Sequence, residues 1–252
     1  MMRHYFSGRM LNVLLFLLLI AAIALNIELF NQAKKYYLEL NQTRLDPQGL
    51  SDYPTDPRPI APAQSRVIFF GDSRAAAWTD PDVQGYEFIN RGIGSQTTAQ
   101  IIQRFSAHVR PLKPQVVVLQ LGINDIKTIA LFPDRKAEIL ANCRSNIEKI
   151  IKQSNALGAT VILTTIFPVG EVPLQRKPFW SNEIAEAVKE MNQFLASLAN
   201  DRVIIFDAFP ILIDQKGLLR SDYRSDELHL NDRAYEVLNQ ELVKSLVKLK
   251  RS

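Results

Sequence analysis

From Arg66 onward the chain alternates short, nearly continuous apolar runs with longer amphipathic stretches, and that rhythm admits few folds. Val67 to Phe70, Glu87 to Asn90, Val116 to Leu121, Thr160 to Thr165 and Val203 to Asp207 read as five strands. Between them, 98–110, 134–157 and 181–199 carry helical spacing, and 232–249 closes the chain as a last helix. Strands that are apolar on both faces and separated by helices build a parallel sheet covered on both sides. The expected architecture is α/β, a three-layer α/β/α sandwich on a five-stranded parallel sheet. Ligands of such sheets gather at the carboxyl ends of the strands. Gly71-Asp72-Ser73 follows the first strand, Gly92 to Ser95 the second and Gly122-Ile123-Asn124-Asp125 the third, so three polar loops converge on one edge.

The N-terminus is a separate object. From Met10 to Phe30 only Asn12, Asn26 and Glu28 interrupt the apolar residues, and a bilayer crossing needs about 20 mostly apolar residues. Arg3 and Arg9 precede the run, as in a signal anchor. The expected division is a basic leader at 1–9, a transmembrane signal anchor at 10–30, a juxtamembrane helix with a Pro-rich linker at 31–65, and a globular domain at 66–252. A short leader stays inside, which places that domain outside the cytoplasm, periplasmic or extracellular; Lys34 and Lys35 weaken the charge bias. Ala22-Ile23-Ala24 resembles a cleavage site, and cleavage after Ala24 would give a secreted protein. Ile27, Phe30, Ala33, Tyr37 and Leu40 continue the helical spacing beyond it and favour retention.

Lys and Arg number 30 against 26 acids, and their dispersal argues against a nucleic-acid surface. The single cysteine, Cys143, forms no internal disulfide and lies in register with Ile139, Ile147, Ile150 and Ile151 as a core residue. No His-Glu-x-x-His, paired-cysteine or Walker pattern occurs, so neither metal nor cofactor is expected.

Three histidines are available, and His4 in the leader and His108 on a polar helical stretch are poor candidates for acid–base work. His229 remains. A serine hydroxyl attacks only when a base takes its proton, which pairs Ser73 with His229. Asp226, three residues before His229, would share a face with it on a helical turn and orient the imidazole. Asn231 or Asp232 caps the helix that follows. Backbone amides at Ser73 and around Gly94-Ser95, with the side-chain amide of Asn124, supply donors for an oxyanion. No Gly-x-Ser-x-Gly surrounds Ser73, which excludes the nucleophile elbow of α/β-hydrolases.

Phe69-Phe70-Gly71-Asp72-Ser73, Asn90-Arg91-Gly92-Ile93-Gly94-Ser95-Gln96-Thr97-Thr98, Gly122-Ile123-Asn124-Asp125 and Asp226-Glu227-Leu228-His229 resemble, in order, the four blocks of the SGNH or GDSL-type hydrolases. The resemblance spans 66 to about 245. It implies a flavodoxin-like sandwich and a serine esterase or acylhydrolase without a metal. By this resemblance Ser73 is the nucleophile, His229 the base, Asp226 its carboxylate, and Ser73, Ser95 and Asn124 the oxyanion donors. The family usually carries glycine where Ser95 stands. A serine amide serves equally if the backbone there needs no positive φ. The expected substrate is a small acyl ester, glycan- or lipid-linked. The alternatives are an O-acyltransferase to a sugar hydroxyl, or a slowed, surface-tethered module binding glycan or lipid. The loop 168–173, Phe179-Trp180 and Leu131-Phe132-Pro133 are candidates to wall an acyl pocket.

Overall fold

A computed structural model describes residues 8–54 and 64–251. Arg3 and His4 of the leader, and Pro57, Pro59 and Pro62 of the expected linker, lie outside the described residues. Two compact units make up the chain, one up to Pro47 and one from Gln48 onward.

The first unit is a single helix, α1 (Gly8–Leu45), 38 residues long. No proline or glycine falls between Arg9 and Asp46 to break it, and Pro47 follows its end. At 1.5 Å per residue it runs about 57 Å, against about 30 Å of bilayer hydrocarbon. By length and composition α1 is able to cross a membrane.

The second unit contains β1 (Ser65–Gly71), α2 (Ser73–Ala76), β2 (Tyr86–Gly92), α3 (Thr98–Gln103), α4 (Phe105–His108), β3 (Val116–Gln120), α5 (Ile123–Ile126), α6 (Lys136–Ala156), β4 (Thr160–Thr164), α7 (Glu183–Ser197), β5 (Val203–Phe206), α8 (Phe209–Leu212) and α9 (Asp232–Arg251). The five strands lie parallel in the order β2-β1-β3-β4-β5, the flavodoxin-like arrangement. Register sets Gly71 beside Gly92 on one side and Gln120 on the other, which aligns the loops leaving β1, β2 and β3.

Side chains alternate across the sheet with period two. Ile68, Phe70, Val117, Leu119, Val161 and Leu163 pack with α3, α6 and α7. Val67, Phe69, Val116, Val118 and Ile162 face Trp78, α8 and α9. Each fully buried Leu, Ile or Phe contributes about 1.5–3 kcal/mol, so the two covered faces hold the sheet firmly. Cys143 lies in the first of these cores, where burial pushes its thiol well above the ordinary range.

The helix expected over 98–110 is interrupted. A separate short turn spans Arg110–Leu112, and Arg104 sits between α3 and α4 with φ −91° and ψ 0°. Its guanidinium is fully buried and donates to Gly71 O (2.7 Å), Arg91 O (2.7 Å) and Gln96 Oε1 (2.6 Å). The bend lets one side chain tie two strand ends to the loop after β2.

Candidate active site

β1 ends at Gly71, and Asp72 turns the chain into α2. The Asp72 amide donates to Gln120 O (3.1 Å), and its Oδ1 accepts from Arg74 N (2.9 Å), capping the short helix that Ser73 begins. Burial raises the Asp72 carboxyl to about 6, against the pull of the Arg74 guanidinium. β2 passes so close to α2 that a Cβ on Gly92 would lie 2.1 Å from Ala76 N, so only glycine fits there. Asn90 locks this crossing: its Nδ2 donates to Ala75 O (2.8 Å) and Trp78 O (3.1 Å), and its Oδ1 accepts from Gly92 N (2.8 Å).

Ser73 Oγ lies 2.9 Å from His229 Nε2, and His229 Nδ1 lies 2.7 Å from Asp226 Oδ2. With the imidazole proton on Nδ1, toward the carboxylate, Nε2 is free to accept from the hydroxyl. Asp226 and His229 meet on a tight loop, where sequence spacing predicts a helical turn. Ser225 N donates to His229 O (2.9 Å), and a bridge pairs Arg224 with Leu230. Asp226 Oδ1 accepts from the amides of Leu228 and His229, each at 2.7 Å. Partial burial raises the Asp226 carboxyl, but the bonds from His229 and these amides outweigh it and hold it below its usual value. Asn231 then caps α9, its Oδ1 accepting from Ala234 N (3.1 Å).

The loop 92–96 runs beside Ser73, since a Cβ on Gly94 would lie 3.9 Å from Ser73 Cβ. Asn124 is buried, and its Nδ2 donates to Gln96 O at 3.0 Å, which leaves its second N–H for another acceptor. Asp125 braces the same loop through Thr98 N (2.8 Å) and Thr98 Oγ1 (2.7 Å). Ser95 has φ +63°. The backbone there thus requires the left-handed region, and a serine holds it at a cost on the order of 1–3 kcal/mol. Ser95→Gly is expected to raise unfolding free energy by about 1 kcal/mol after the entropy of glycine is set against the relieved strain. Urea denaturation of the full chain measures it.

Several residues near the site have no sequence signal. Arg74 and Arg104 are fully buried, although arginine in a sequence ordinarily reads as surface charge. Arg74 Nε donates to Leu228 O (2.9 Å) and Nη1 to Phe167 O (3.2 Å), joining the serine turn to the histidine loop, and Tyr235 Oη donates to Arg74 O (2.9 Å). His108, expected on a polar face, is buried. Val169, Gly170, Val172 and Trp180 border a cavity of about 550 Å³, and Gly170 N donates to Glu227 O (2.8 Å), beside the histidine loop. Leu131, Phe132 and Phe179 are exposed. Among the described residues, no group of three or more His, Cys, Asp or Glu side chains is placed to hold a metal.

Residues 69–237 match the model of the GDSL-like lipase/acylhydrolase family. No curated protein matches the chain. Among solved structures, a GDSL-like lipase from Bacteroides thetaiotaomicron is similar at 21% identity and a TM-score of 0.62, over 83% of this chain and 97% of that one. An acetyl xylan esterase is similar at 22% identity and a TM-score of 0.58, over 71% and 98%. A lipase/acylhydrolase from Enterococcus faecalis is similar at 21% identity and a TM-score of 0.53, over 73% and 95%. These likenesses place the fold, and the family match runs from β1 into α9 across every loop that meets at Ser73. The chain belongs to the GDSL-like lipase/acylhydrolase family and is an ester-cleaving hydrolase.

Proposed function

We propose that the chain is a serine esterase working through Ser73, His229 and Asp226, held at a membrane by α1 with its catalytic unit outside the cytoplasm. The observation that carries this reading is the continuous relay from Ser73 Oγ to His229 Nε2 (2.9 Å) and from His229 Nδ1 to Asp226 Oδ2 (2.7 Å). Ser73 Oγ attacks the ester carbonyl as its proton passes to Nε2. The carbonyl oxygen becomes an oxyanion, which the amides of Ser73 and Ser95 and the Asn124 side chain stabilise at roughly 3 kcal/mol per good donor. Collapse expels the alcohol, which takes the proton from Nε2, and an acyl-serine remains. Water then gives a proton to Nε2 and attacks the acyl carbon; collapse breaks the bond to Ser73 Oγ, which takes that proton back from Nε2, and the acid leaves. Asp226 stays ionised throughout and stabilises the imidazolium. The substrate is a small acyl ester, glycan- or lipid-linked, and neither a metal nor a nucleic acid takes part.

Acyl transfer to a sugar hydroxyl is the second reading. His229 and Asp226 side chains are 41% and 47% exposed, so a bulky alcohol has room to reach the acyl-serine. Hydrolysis of 4-nitrophenyl acetate by the full chain in detergent, with glycerol added, separates the two. An esterase releases mainly acetate at every glycerol concentration. Acetylglycerol as the main product would favour transfer.

A further inference from the structure

Gln48–Tyr53 falls in the stretch expected to be linker, yet it packs within the second compact unit against the loop after β2. Tyr53 Oη donates to Gly92 O, the Arg91 guanidinium lies 4.6 Å above the Tyr53 ring, and His108 meets that ring edge-on at 5.5 Å. Gln96 Nε2 donates to Gln48 O at 2.9 Å, and His108 Nε2 lies 3.3 Å from Leu50 O. Gly49 is buried with φ +67°, and a Cβ on it would lie 2.9 Å from Ile93 Cδ1 and 3.0 Å from Gln96 Nε2. The segment therefore grips both flanks of Ile93-Gly94-Ser95, at Gly92 and at Gln96.

Gln96 is the hinge of this arrangement. It is buried, its side-chain oxygen accepts from Arg104 Nε, and its backbone oxygen holds the Asn124 amide. Between the two gripped residues stands Ser95 at φ +63°. A non-glycine residue keeps such a conformation only where its surroundings over-determine it. We propose that Gln48–Tyr53 is a strap that holds the loop Gly92–Gln96, and with it Ser95 N–H and Asn124 Nδ2, in the geometry that receives the oxyanion, with Tyr53 as its positioning residue. The strap thereby holds Ser95 in a left-handed conformation that glycine would adopt without strain. A fragment cut near Pro62 lacks the clamp altogether. The proposal rests on the esterase reading and deepens it.

The test uses the full chain. Tyr53→Phe removes the hydroxyl and keeps the ring between Arg91 and His108. It is expected to lower kcat for 4-nitrophenyl acetate about tenfold, the effect of one hydrogen bond that holds transition-state donors, with KM within about twofold. Gly49→Ala, which strains the other end of the strap, is expected to act in the same direction. Adding Ser95→Gly to Tyr53→Phe is expected to recover most of the lost kcat, because glycine no longer needs the clamp. A merely structural strap would lower thermal stability without this split or this rescue. Tyr53→Phe with kcat within about twofold of the parent would overturn the proposal, and so would a fall in kcat that Ser95→Gly leaves uncorrected. If the parent were no faster than Ser73→Ala, the esterase reading itself would fall, and the strap's catalytic role with it.

Discussion

Ser73→Ala and His229→Ala are each expected to lower kcat for 4-nitrophenyl acetate by about 10⁴- to 10⁶-fold, with little change in KM. In the proposed mechanism Ser73 supplies the atom that bonds to the acyl carbon, and His229 Nε2, 2.9 Å from Ser73 Oγ, accepts its proton. Without the imidazole the hydroxyl stays a weak nucleophile, and without the hydroxyl the imidazole has nothing to deprotonate. The two act as one unit, so the double variant is expected to be no slower than the worse single one. What remains in either case is the stabilisation that the oxyanion donors give to direct attack by water. Steady-state hydrolysis by the full chain, with circular dichroism to show that each variant is folded, measures both effects.

Asn124→Ala is the second large effect, a fall in kcat of about 10² to 10³ with KM nearly unchanged. Asn124 Nδ2 is buried and fixed on Gln96 O at 3.0 Å, so its second N–H is oriented before substrate arrives. Such a donor strengthens as charge develops on the carbonyl oxygen, which places its contribution in kcat. Asn124→Asp is expected to be slower still. A carboxylate at that position removes both N–H donors and sets negative charge against both the oxyanion and Gln96 O. Equal losses in kcat and in the rate of inactivation by an organophosphonate would locate the effect in the tetrahedral state.

How much of this is legible in the sequence depends on where the determining contacts lie. The strands are legible because they are short runs rich in apolar residues, largely buried in β1, β3 and β4 and half-buried in the edge strands β2 and β5, and the observed boundaries fall within about two residues of the expected ones. Ser73, Asn124, Asp226 and His229 stand out in the sequence as candidates because they follow strand ends or lie in the short block around His229. Their mutual distances are not, since Asp226 reaches His229 through a loop closed by its own backbone bonds. The break at Arg104 is illegible because it follows from a guanidinium binding carbonyls of residues 13 and 33 positions away. Ser95 shows in sequence as a departure from the family glycine, but its positive φ is a property of the folded loop. The strap is hidden for another reason. It binds through backbone carbonyls and one tyrosine, leaves no hydrophobic period, and sits next to prolines that mark a linker.

Covalent acylation of Ser73 is the step on which the proposed mechanism turns. It is tested most directly by reaction of the full chain with an ethyl 4-nitrophenyl phosphonate, whose serine adduct, formed with loss of nitrophenolate, is a stable analogue of the tetrahedral state, followed by peptide mass analysis. The expected result is a burst of nitrophenolate matching the enzyme concentration, loss of ester hydrolysis in parallel, and the phosphonyl group on the peptide that carries Ser73. Ser73→Ala is predicted to show no burst. A phosphonyl group on another residue, or full ester hydrolysis by a protein whose Ser73 stays unmodified, would contradict it.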